Sequence, residues 1–401
     1  MEFLIKAIQL ILSLSILVIL HEFGHFLFAR IFKTRVEKFY LFFNPGFSLL
    51  RFKKGETEYG LGWLPLGGYV KISGMMDESM DKEQMKQPPQ PHEFRSKPAW
   101  QRLLIMVGGV LINFLLAMFI FWMILFKWGE SYIPVEGANY GLSFHPIGHE
   151  IGLQDGDKIL AVDTFEVVTV SDISRHVLLE NPQKLTVQRG DSVFDLSLPD
   201  ELGKRFLSEN VSQFARYRVP FVVDSILPDM PAERAGLQKG DSLVGVGSKD
   251  TPFFHSFVNE IVTHTGDTTN VSFYRNGERM SLPVAVNKSG KIGIGNRPPG
   301  HYLDIKRHRY GFFEAFPAGI KKGVNILVGY VKQLKLIFTK EGARQVGGFG
   351  TIGSLFPASW NWSSFWHTTG LLSLKIWAAL PESSPFRFIS CKTRVISICS
   401  R

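Results

Sequence analysis

The chain has 401 residues, of which 45% are hydrophobic and 20% charged, and its net charge is +9. This composition is too apolar for an ordinary soluble enzyme and too polar for a protein made of membrane helices alone. The positive charge is not concentrated in a basic helix or an aromatic RNA-binding motif, so we predict no nucleic acid partner. Basic residues beside membrane segments explain the net charge more simply. The only cysteines, Cys391 and Cys399, lie close to the C-terminus and predict no disulfide framework.

The first predicted element is an apolar helix over residues 3–31, which is long enough to cross a bilayer. It is interrupted by the pattern H-E-x-x-H at residues 21–25. On a helix, His21 and His25 project from the same face one turn apart, where two imidazoles can bind one zinc ion. Glu22 is then placed to take a proton from an activated water. The pattern predicts His21 and His25 as metal ligands and Glu22 as the catalytic base.

This segment has two alternative interpretations, a chance match and a signal peptide. The pattern can arise by chance, with the histidines as ordinary buried residues, but ionisable side chains at bilayer depth are costly and usually functional. A cleaved signal peptide is disfavoured because the apolar run continues to Phe32 without a small-residue cleavage site. Basic residues follow the helix, which predicts that its N-terminus lies outside and the motif towards the cytoplasm.

Glycine and aromatic residues dominate the next region. Residues 36–43 and 47–52 are predicted strands, and residues 59–70 a β-hairpin that re-enters the membrane, where its edge can pair with an unwound substrate segment. A peripheral cytoplasmic hairpin is the alternative. A polar loop over residues 76–99 leads to a second membrane helix from Leu103 to Phe126. Its Asn113 can bridge two helices, or it can face the metal and hold a substrate carbonyl.

Residues 131–290 have a soluble composition and contain an internal repeat. Residues 152–162 recur as residues 236–246 with six identities in eleven positions, which predicts two copies of one module. Residues 228–237, ahead of the second copy, resemble a PDZ domain, a module that binds extended peptides or chain termini along a strand edge. The two modules can bind peptides or form a size-excluding cap, and we favour the cap. An amphipathic helix over residues 312–339 suits the membrane surface, and residue 365 begins a third apolar helix.

This order of elements resembles the bacterial site-2 protease family of intramembrane zinc metalloproteases with two PDZ domains. The resemblance implies a multi-pass α-helical membrane protein with a membrane-reentrant β-hairpin and two α+β PDZ domains. It makes His21 and His25 zinc ligands and Glu22 the general base. Gly67, Gly68 and Tyr69 match its substrate-binding re-entrant loop, and Asn113 matches the asparagine of its second helix.

The resemblance also implies partners and a location. The family's substrates are single-pass transmembrane proteins, either anti-sigma factors or remnant signal peptides, which it cleaves within the bilayer. The expected location is the bacterial inner membrane, with the PDZ domains in the periplasm and the active site towards the cytoplasm. A peptide or chain terminus is a further expected partner of the PDZ domains.

The C-terminal part departs from the family. In the family, the third helix carries the motif Asn-x-x-Pro-x-x-x-x-Asp-Gly, whose aspartate is the third metal ligand. This chain has no aspartate after Asp304. The later carboxylates Glu314, Glu341 and Glu382 lie in no matching motif. We attribute the difference to a reading-frame shift near residue 374, through mutation or sequencing error. The intact gene is then expected to encode the protease, and this chain to be impaired; a non-catalytic, membrane-anchored PDZ scaffold is the alternative.

The predicted division of the chain follows from these elements. It consists of a first membrane helix (1–32), a re-entrant β region with a polar loop (33–100), a second membrane helix (101–128), two PDZ domains (129–205 and 206–297), an amphipathic helix with a glycine-rich loop (298–362), the start of a third membrane helix (363–381) and an aberrant tail (382–401).

Overall fold

The computed structural model describes residues 2–65, 67–75, 88–200, 202–209, 211, 213–337 and 349–378. The described residues form two compact units. The first contains the chain up to Glu130 and again from Arg309 onwards, and the second contains Ser131–His308. The predicted tail over residues 382–401, with Glu382 and both cysteines, lies outside the described residues, as does Glu341.

The first unit combines long helices with one small sheet. Its elements are α1 (Glu2–Ile31), β1 (Val36–Leu41), β2 (Leu50–Lys54), β3 (Thr57–Leu61), β4 (Tyr69–Ile72), a 3-10 turn (Phe94–Ser96), α2 (Ala99–Trp128), α8 (Phe312–Ile337), α9 (Phe349–Ser354) and α10 (Trp362–Ala378).

Two helices of the described chain, α1 and α2, are long and apolar enough to cross a membrane, judged by length and composition. They pack closely because glycines face each other: a Cβ on Gly24 would collide with the backbone of Gly108, and a Cβ on Gly108 would lie 2.6 Å from a ring carbon of Phe28. Small residues allow such backbone contact between apolar helices. The Gly108-Gly109 pair therefore allows α1 and α2 to pack closely.

The small sheet has the strand order β2-β3-β1-β4. β1 pairs in parallel with β3 and antiparallel with β4, so it lies between them. The predicted hairpin over residues 59–70 is therefore wrong in its pairing, since its two arms belong to β3 and β4 and do not pair with each other. β1 takes the central position because Val36 and Tyr40 are its fully buried residues, at 0% and 1% exposure.

Two of the three later helices in the described chain, α8 and α10, pack on α2. α8 covers the predicted amphipathic segment, and its Gly319 and Gly323 lie against Trp122 and Met118. α10 lies beside both α1 and α2, where the Thr369 hydroxyl donates a hydrogen bond to Ser13 Oγ at 3.0 Å. This hydrogen bond inside an apolar bundle helps to set the register of α10 against α1.

The second unit contains short strands and helices. They are β5 (Glu130–Tyr132), β6 (Leu142–Phe144), α3 (Pro146–Glu150), β7 (Lys158–Val162), β8 (Phe165–Glu166), α4 (Val170–Glu180), β9 (Lys184–Arg189), β10 (Ser192–Ser197), α5 (Leu202–Ser208), β11 (Ala215–Tyr217), β12 (Phe221–Ile226), α6 (Pro231–Ala235), β13 (Ser242–Val246), β14 (Lys249–Asp250), α7 (Phe254–Thr263), β15 (Thr268–Arg275), β16 (Glu278–Ala285), β17 (Ile294–Asn296) and β18 (Lys306–His308).

This unit has two separate hydrophobic cores, one for each copy of the sequence repeat. The first core includes Phe206 and Phe214, and β11 pairs with β6 of the same module. The second core begins at Phe221. The boundary therefore lies between Tyr217 and Phe221, later than the predicted division at 205–206, because the chain after residue 205 completes the first core.

The two copies of the repeat also share one structural feature, a buried aspartate that pairs with an arginine. Asp157 and Asp241, both 1% exposed, occupy the same position in the two copies. Arg189 contacts both carboxylate oxygens of Asp157 at 2.7 and 2.8 Å, and Arg275 contacts both oxygens of Asp241 at 2.8 Å. Each aspartate also accepts a hydrogen bond from a backbone N–H three residues earlier. A bidentate pair of this kind is a fully satisfied buried charge.

Candidate metal centre

The two histidines of the motif meet on one side of α1, as their spacing predicts. Their Nε2 atoms are 3.2 Å apart, and their rings are nearly perpendicular, at 79°. Two nitrogen ligands of tetrahedral zinc, each about 2.0–2.1 Å from the ion, lie roughly 3.3 Å apart. The two Nε2 atoms therefore fit two positions of a zinc site.

A backbone group of α2 orients His25. Its Nδ1 lies 2.7 Å from the carbonyl oxygen of Ile105, which can only accept a hydrogen bond. The proton therefore sits on Nδ1, and Nε2 keeps its lone pair for a metal. This is the outer-shell arrangement that usually accompanies metal-binding histidines. The sequence gives no signal for it, because the acceptor belongs to the backbone.

Gly109 leaves the space that the two rings occupy. A Cβ at this position would lie 2.7 Å from His25 Nε2 and 2.8 Å from His21 Cε1. Any larger residue would push the imidazoles apart. Gly109 thus allows both the close packing of α1 on α2 and the approach of the two imidazoles.

Glu22 is buried, with 6% of its surface exposed. A Cβ on Gly68 would lie 3.4 Å from Glu22 Cγ and 2.7 Å from the carbonyl oxygen of Tyr40. Glycine at residue 68 thus allows the start of β4 to approach the predicted base. β4 is an edge strand of the sheet, so an edge runs past the predicted catalytic carboxylate.

The other two predicted residues of the loop have packing roles. Gly67 lies against the ring of Phe43. The ring of Tyr69 stacks on Tyr40 at 5.1 Å, and its hydroxyl donates a hydrogen bond to Asn44 Oδ1 at 3.2 Å. Gly68 therefore adjoins Glu22, while Gly67 and Tyr69 hold the loop against β1 and the turn that follows it.

Asn113 lies one turn beyond Gly109 on the same face of α2 and is fully buried. Within the described chain, neither its side-chain oxygen nor its side-chain nitrogen has a hydrogen-bond partner. Its backbone carbonyl accepts a hydrogen bond from Ser373 Oγ at 2.6 Å. Leaving a buried amide without partners costs free energy, so this side chain is suited to a ligand or an ordered water.

No group of three potential metal ligands occurs among the residues that the structure describes. Of the later carboxylates, Glu314 accepts a hydrogen bond from the backbone N–H of Gly311 near the start of α8. The third apolar helix, where the family resemblance places a third ligand, is α10. It runs parallel to α1, since Thr369 contacts Ser13 and, further along both helices, Leu372 shares a hydrophobic cluster with Leu17.

Because α1 and α10 are parallel, the residue of α10 at the same height as His21 can be estimated from the helical rise. His21 lies eight residues beyond Ser13, which is about 12 Å along a helix. The same rise from Thr369 reaches residue 377. The chain therefore reaches the level of the two histidines near residue 377, within the stretch after residue 374 whose sequence differs from the expected motif.

Comparisons of the sequence with known proteins identify the family of the chain. Residues 9–379 match the model of peptidase family M50. A putative zinc metalloprotease of Xylella fastidiosa is 27% identical over 404 residues, covering 94% of this chain and 86% of that protein. The regulator of sigma-E protease RseP of Escherichia coli is 29% identical over 366 residues, covering 84% and 78%. The Haemophilus influenzae regulator of sigma E protease is 27% identical over 342 residues, covering 80% and 74%. The chain belongs to peptidase family M50, the membrane-associated site-2 proteases, whose cofactor is zinc.

Proposed function

We propose that the intact gene encodes an intramembrane protease that cleaves peptide bonds within transmembrane segments. The observation that carries this proposal is the pair of Nε2 atoms 3.2 Å apart, with His25 Nδ1 held by the Ile105 carbonyl. His21 and His25 would hold zinc, which supplies positive charge that polarises water and the peptide carbonyl. The membrane setting follows from the apolar length of α1 on both sides of the motif.

Glu22 is the proton carrier. Its carboxylate adjoins the two histidines in sequence and is shielded from bulk solvent. In the proposed reaction it takes the proton from the attacking water and delivers it to the nitrogen of the leaving amine. A buried carboxylate suits this task because water does not compete for the proton.

The substrate is an unwound segment beside β4. Carbonyls within a helix are already hydrogen-bonded, so a transmembrane substrate must unfold locally before attack. The edge position of β4 supports pairing with the substrate by strand addition. Gly68 brings this edge close to Glu22. Asn113 offers one amide donor and one acceptor to the unwound backbone.

We assign the remaining parts by the same reasoning. The two modules of the second unit act as periplasmic PDZ domains, and the duplicated sequence and twin cores support a tandem arrangement. α1, α2 and the region around α10 form a multi-pass membrane domain of the bacterial inner membrane, with the metal site towards the cytoplasm. The names of the E. coli and H. influenzae relatives support a regulatory substrate that controls a sigma factor.

The reading-frame shift near residue 374 is part of the proposal. The parallel course of α1 and α10 supports it, because α10 reaches the level of the histidines near residue 377, shortly after the proposed shift. A third ligand supplied there would complete the usual three protein ligands of catalytic zinc. With only two, the chain as printed is expected to bind zinc weakly and to cleave poorly.

Two versions of the protein test the proposal. One is the chain as printed, and the other has its sequence after Leu374 replaced by the corresponding segment of the E. coli relative. The measurements are zinc content after purification and cleavage of a single-pass membrane substrate. We expect the repaired version to hold one zinc and to cleave, and the printed chain to do neither efficiently.

Glu22→Gln in the repaired version separates binding from chemistry. The variant should retain zinc and lose cleavage, because the amide cannot accept the proton. Cleavage by this variant at the unmodified rate would contradict the assigned role of Glu22. Absence of zinc from the repaired version would contradict the metal site.

A non-catalytic, membrane-anchored PDZ scaffold is the second candidate. The absence of a third ligand from the described part of the chain favours it for the polypeptide as printed. It predicts partner binding without proteolysis and no zinc in the purified protein.

A further inference from the structure

The small sheet of the first unit carries an exposed apolar surface that the proposed reaction does not use. All five residues of β2 are exposed, including Leu50 and Phe52 at 65% and 60%. In the loop and turn beside it, Phe47 and Trp63 stack at 6.0 Å and are 60% and 42% exposed. We call β2 together with Phe47, Leu49 and Trp63 the β2 rim. A contiguous exposed apolar patch of this kind marks an interaction site.

Strand alternation separates the side chains of β2 into two faces. Leu50 and Phe52 pair in register with Leu61 and Tyr59 of β3 and share their face. Arg51 and Lys53 point to the opposite face, and Lys54 lies at the strand end. The rim thus places apolar side chains on one side and cationic groups on the other side and at its tip.

The apolar face is continuous with the surface of α1. Phe52 stacks on Tyr59 at 5.4 Å, and Tyr59 contacts Phe26 of α1 at 6.1 Å. β1 lies between β4 and β3, and β2 is the outermost strand on the side away from β4. The face therefore extends sideways beyond α1, into the space that lipid would occupy around a membrane helix.

The depth of this face follows from the sequence of α1. Phe26 lies four residues before Arg30, which is about 6 Å along the helix. Arginine and lysine at a helix end reach the headgroup layer. Phe52 and its neighbours are thus at the height of the outer acyl chains, where Arg51, Lys53 and Lys54 can reach phosphate oxygens. Exposed tryptophan, here Trp63, is typical of this layer.

We propose that the β2 rim is a binding site for anionic phospholipid. Leu50 and Phe52 contact acyl chains, and Arg51, Lys53 and Lys54 contact the negatively charged headgroups. The site is separate from the β4 edge that faces Glu22. The inference rests on α1 crossing the membrane as proposed above, and it requires neither zinc nor cleavage.

Site-specific quenching tests the proposal in the full chain. Cys391 and Cys399 are replaced by serine, a fluorescent probe is attached to Phe52→Cys, and the protein is reconstituted as a monomer in nanodiscs. Brominated phosphatidylglycerol should quench the probe roughly threefold more strongly than brominated phosphatidylcholine at equal content. The combined variant R51Q/K53Q/K54Q should reduce this ratio to about one, since neutral side chains do not attract anionic headgroups.

Two controls separate the possible outcomes. K288Q/K291Q/K306Q removes three exposed charges from the second unit and should leave the ratio at position 52 unchanged. A probe at Leu115→Cys, which is 52% exposed on α2, should be quenched equally by both lipids. Quenching at position 115 without quenching at 52 would overturn the rim site while leaving the membrane assignment intact.

Other occupants of the rim would also be recognised. A probe at position 52 that is shielded from water but not quenched by either lipid would indicate a protein occupant, such as a second copy or a substrate strand, and would overturn the proposal. No quenching at either position would instead contradict the membrane topology. Equal quenching by both lipids at position 52 would contradict the preference for anionic lipid.

Discussion

Buried polar side chains occur in both units of this protein, but their surroundings differ. In the second unit, Asp157 and Asp241 are each bound by two nitrogens of an arginine and by a backbone N–H. In the first unit, two histidine nitrogens converge on one point, and the buried amide of Asn113 has no partner within the described chain. Satisfied polar groups hold a fold together, whereas a buried amide without a partner is suited to a ligand.

This comparison predicts that mutation at the metal centre costs function and mutation at the buried pairs costs stability. Four changes test it, from the largest expected effect to the smallest.

Glu22→Gln in the repaired chain should lower the cleavage rate by roughly 10²–10⁴-fold, the usual contribution of general acid–base catalysis. The free energy of unfolding should stay the same, because glutamine has nearly the same shape as glutamate. Initial rates on a single-pass substrate and a thermal unfolding curve measure the two quantities. A large drop in stability would mean that Glu22 is structural, like Asp157 and Asp241.

Asp241→Asn should destabilise the second module by about 3 kcal/mol, because Arg275 would lose its charged partner beneath the surface. Hydrogen exchange of the β13 and β15 amides in the intact chain measures this loss. The matched control is Asp229→Asn, an exposed turn residue, which should change the stability by less than about 0.5 kcal/mol. Equal effects of the two variants would contradict the role assigned to the buried pair.

Gly109→Ala should weaken zinc binding by roughly 10–100-fold in the repaired chain, as loss of a group that positions metal ligands typically does. The added methyl would lie 2.7 Å from His25 Nε2. Gly329→Ala is the control, because a Cβ there meets no atom within 4 Å. Zinc affinity measured by competition with a chelator should be unchanged in the control. Unchanged affinity in Gly109→Ala would show that the histidines can move apart freely.

The smallest expected effect concerns His255, where the two modules meet. Burial lowers the pKa of His255, with further lowering by Arg216 and Arg218 and a counteracting influence of Asp155. Below about pH 6.5 the unfolded chain therefore binds a proton that the folded chain does not, so the free energy of unfolding falls as the pH falls. Hydrogen exchange of the second unit at pH 7.5 and 5.5 should show this loss.

His255→Gln should remove that part of the pH dependence, since glutamine does not titrate. His301→Gln, at an exposed histidine, provides the comparison. An unchanged pH dependence in His255→Gln would mean that another group is responsible.

Much of the site was predictable from the sequence because its signals are local. The i, i+4 spacing of His21 and His25 fixes a common face on any helix, and the apolar context of Glu22 indicates burial. The repeat around Asp157 and Asp241 was visible because both copies use the same turn residues. Helix bounds followed from hydrophobic length, as for α1 and α8.

The features that the sequence did not predict depend on contacts between residues far apart in the chain. The sequence suggested that residues 59–70 pair as a hairpin, but β1 lies between the two arms because burial of Val36 and Tyr40 favours the central position. The partners Arg189 and Arg275 are more than thirty residues from their aspartates. The first module extends past residue 205 because Phe214 fills its core.

The sequence by itself determined the chemistry of this protein: two imidazoles and a carboxylate on one turn of an apolar helix, and a duplicated module. Only the tertiary structure decided which groups surround that chemistry. The Ile105 carbonyl sets the tautomer of His25, Gly109 makes room for the rings, Gly68 brings a strand edge to Glu22, and α10 reaches the level of the two histidines near residue 377. Helical spacing is fixed by local backbone geometry, whereas these contacts arise only when separate elements pack together.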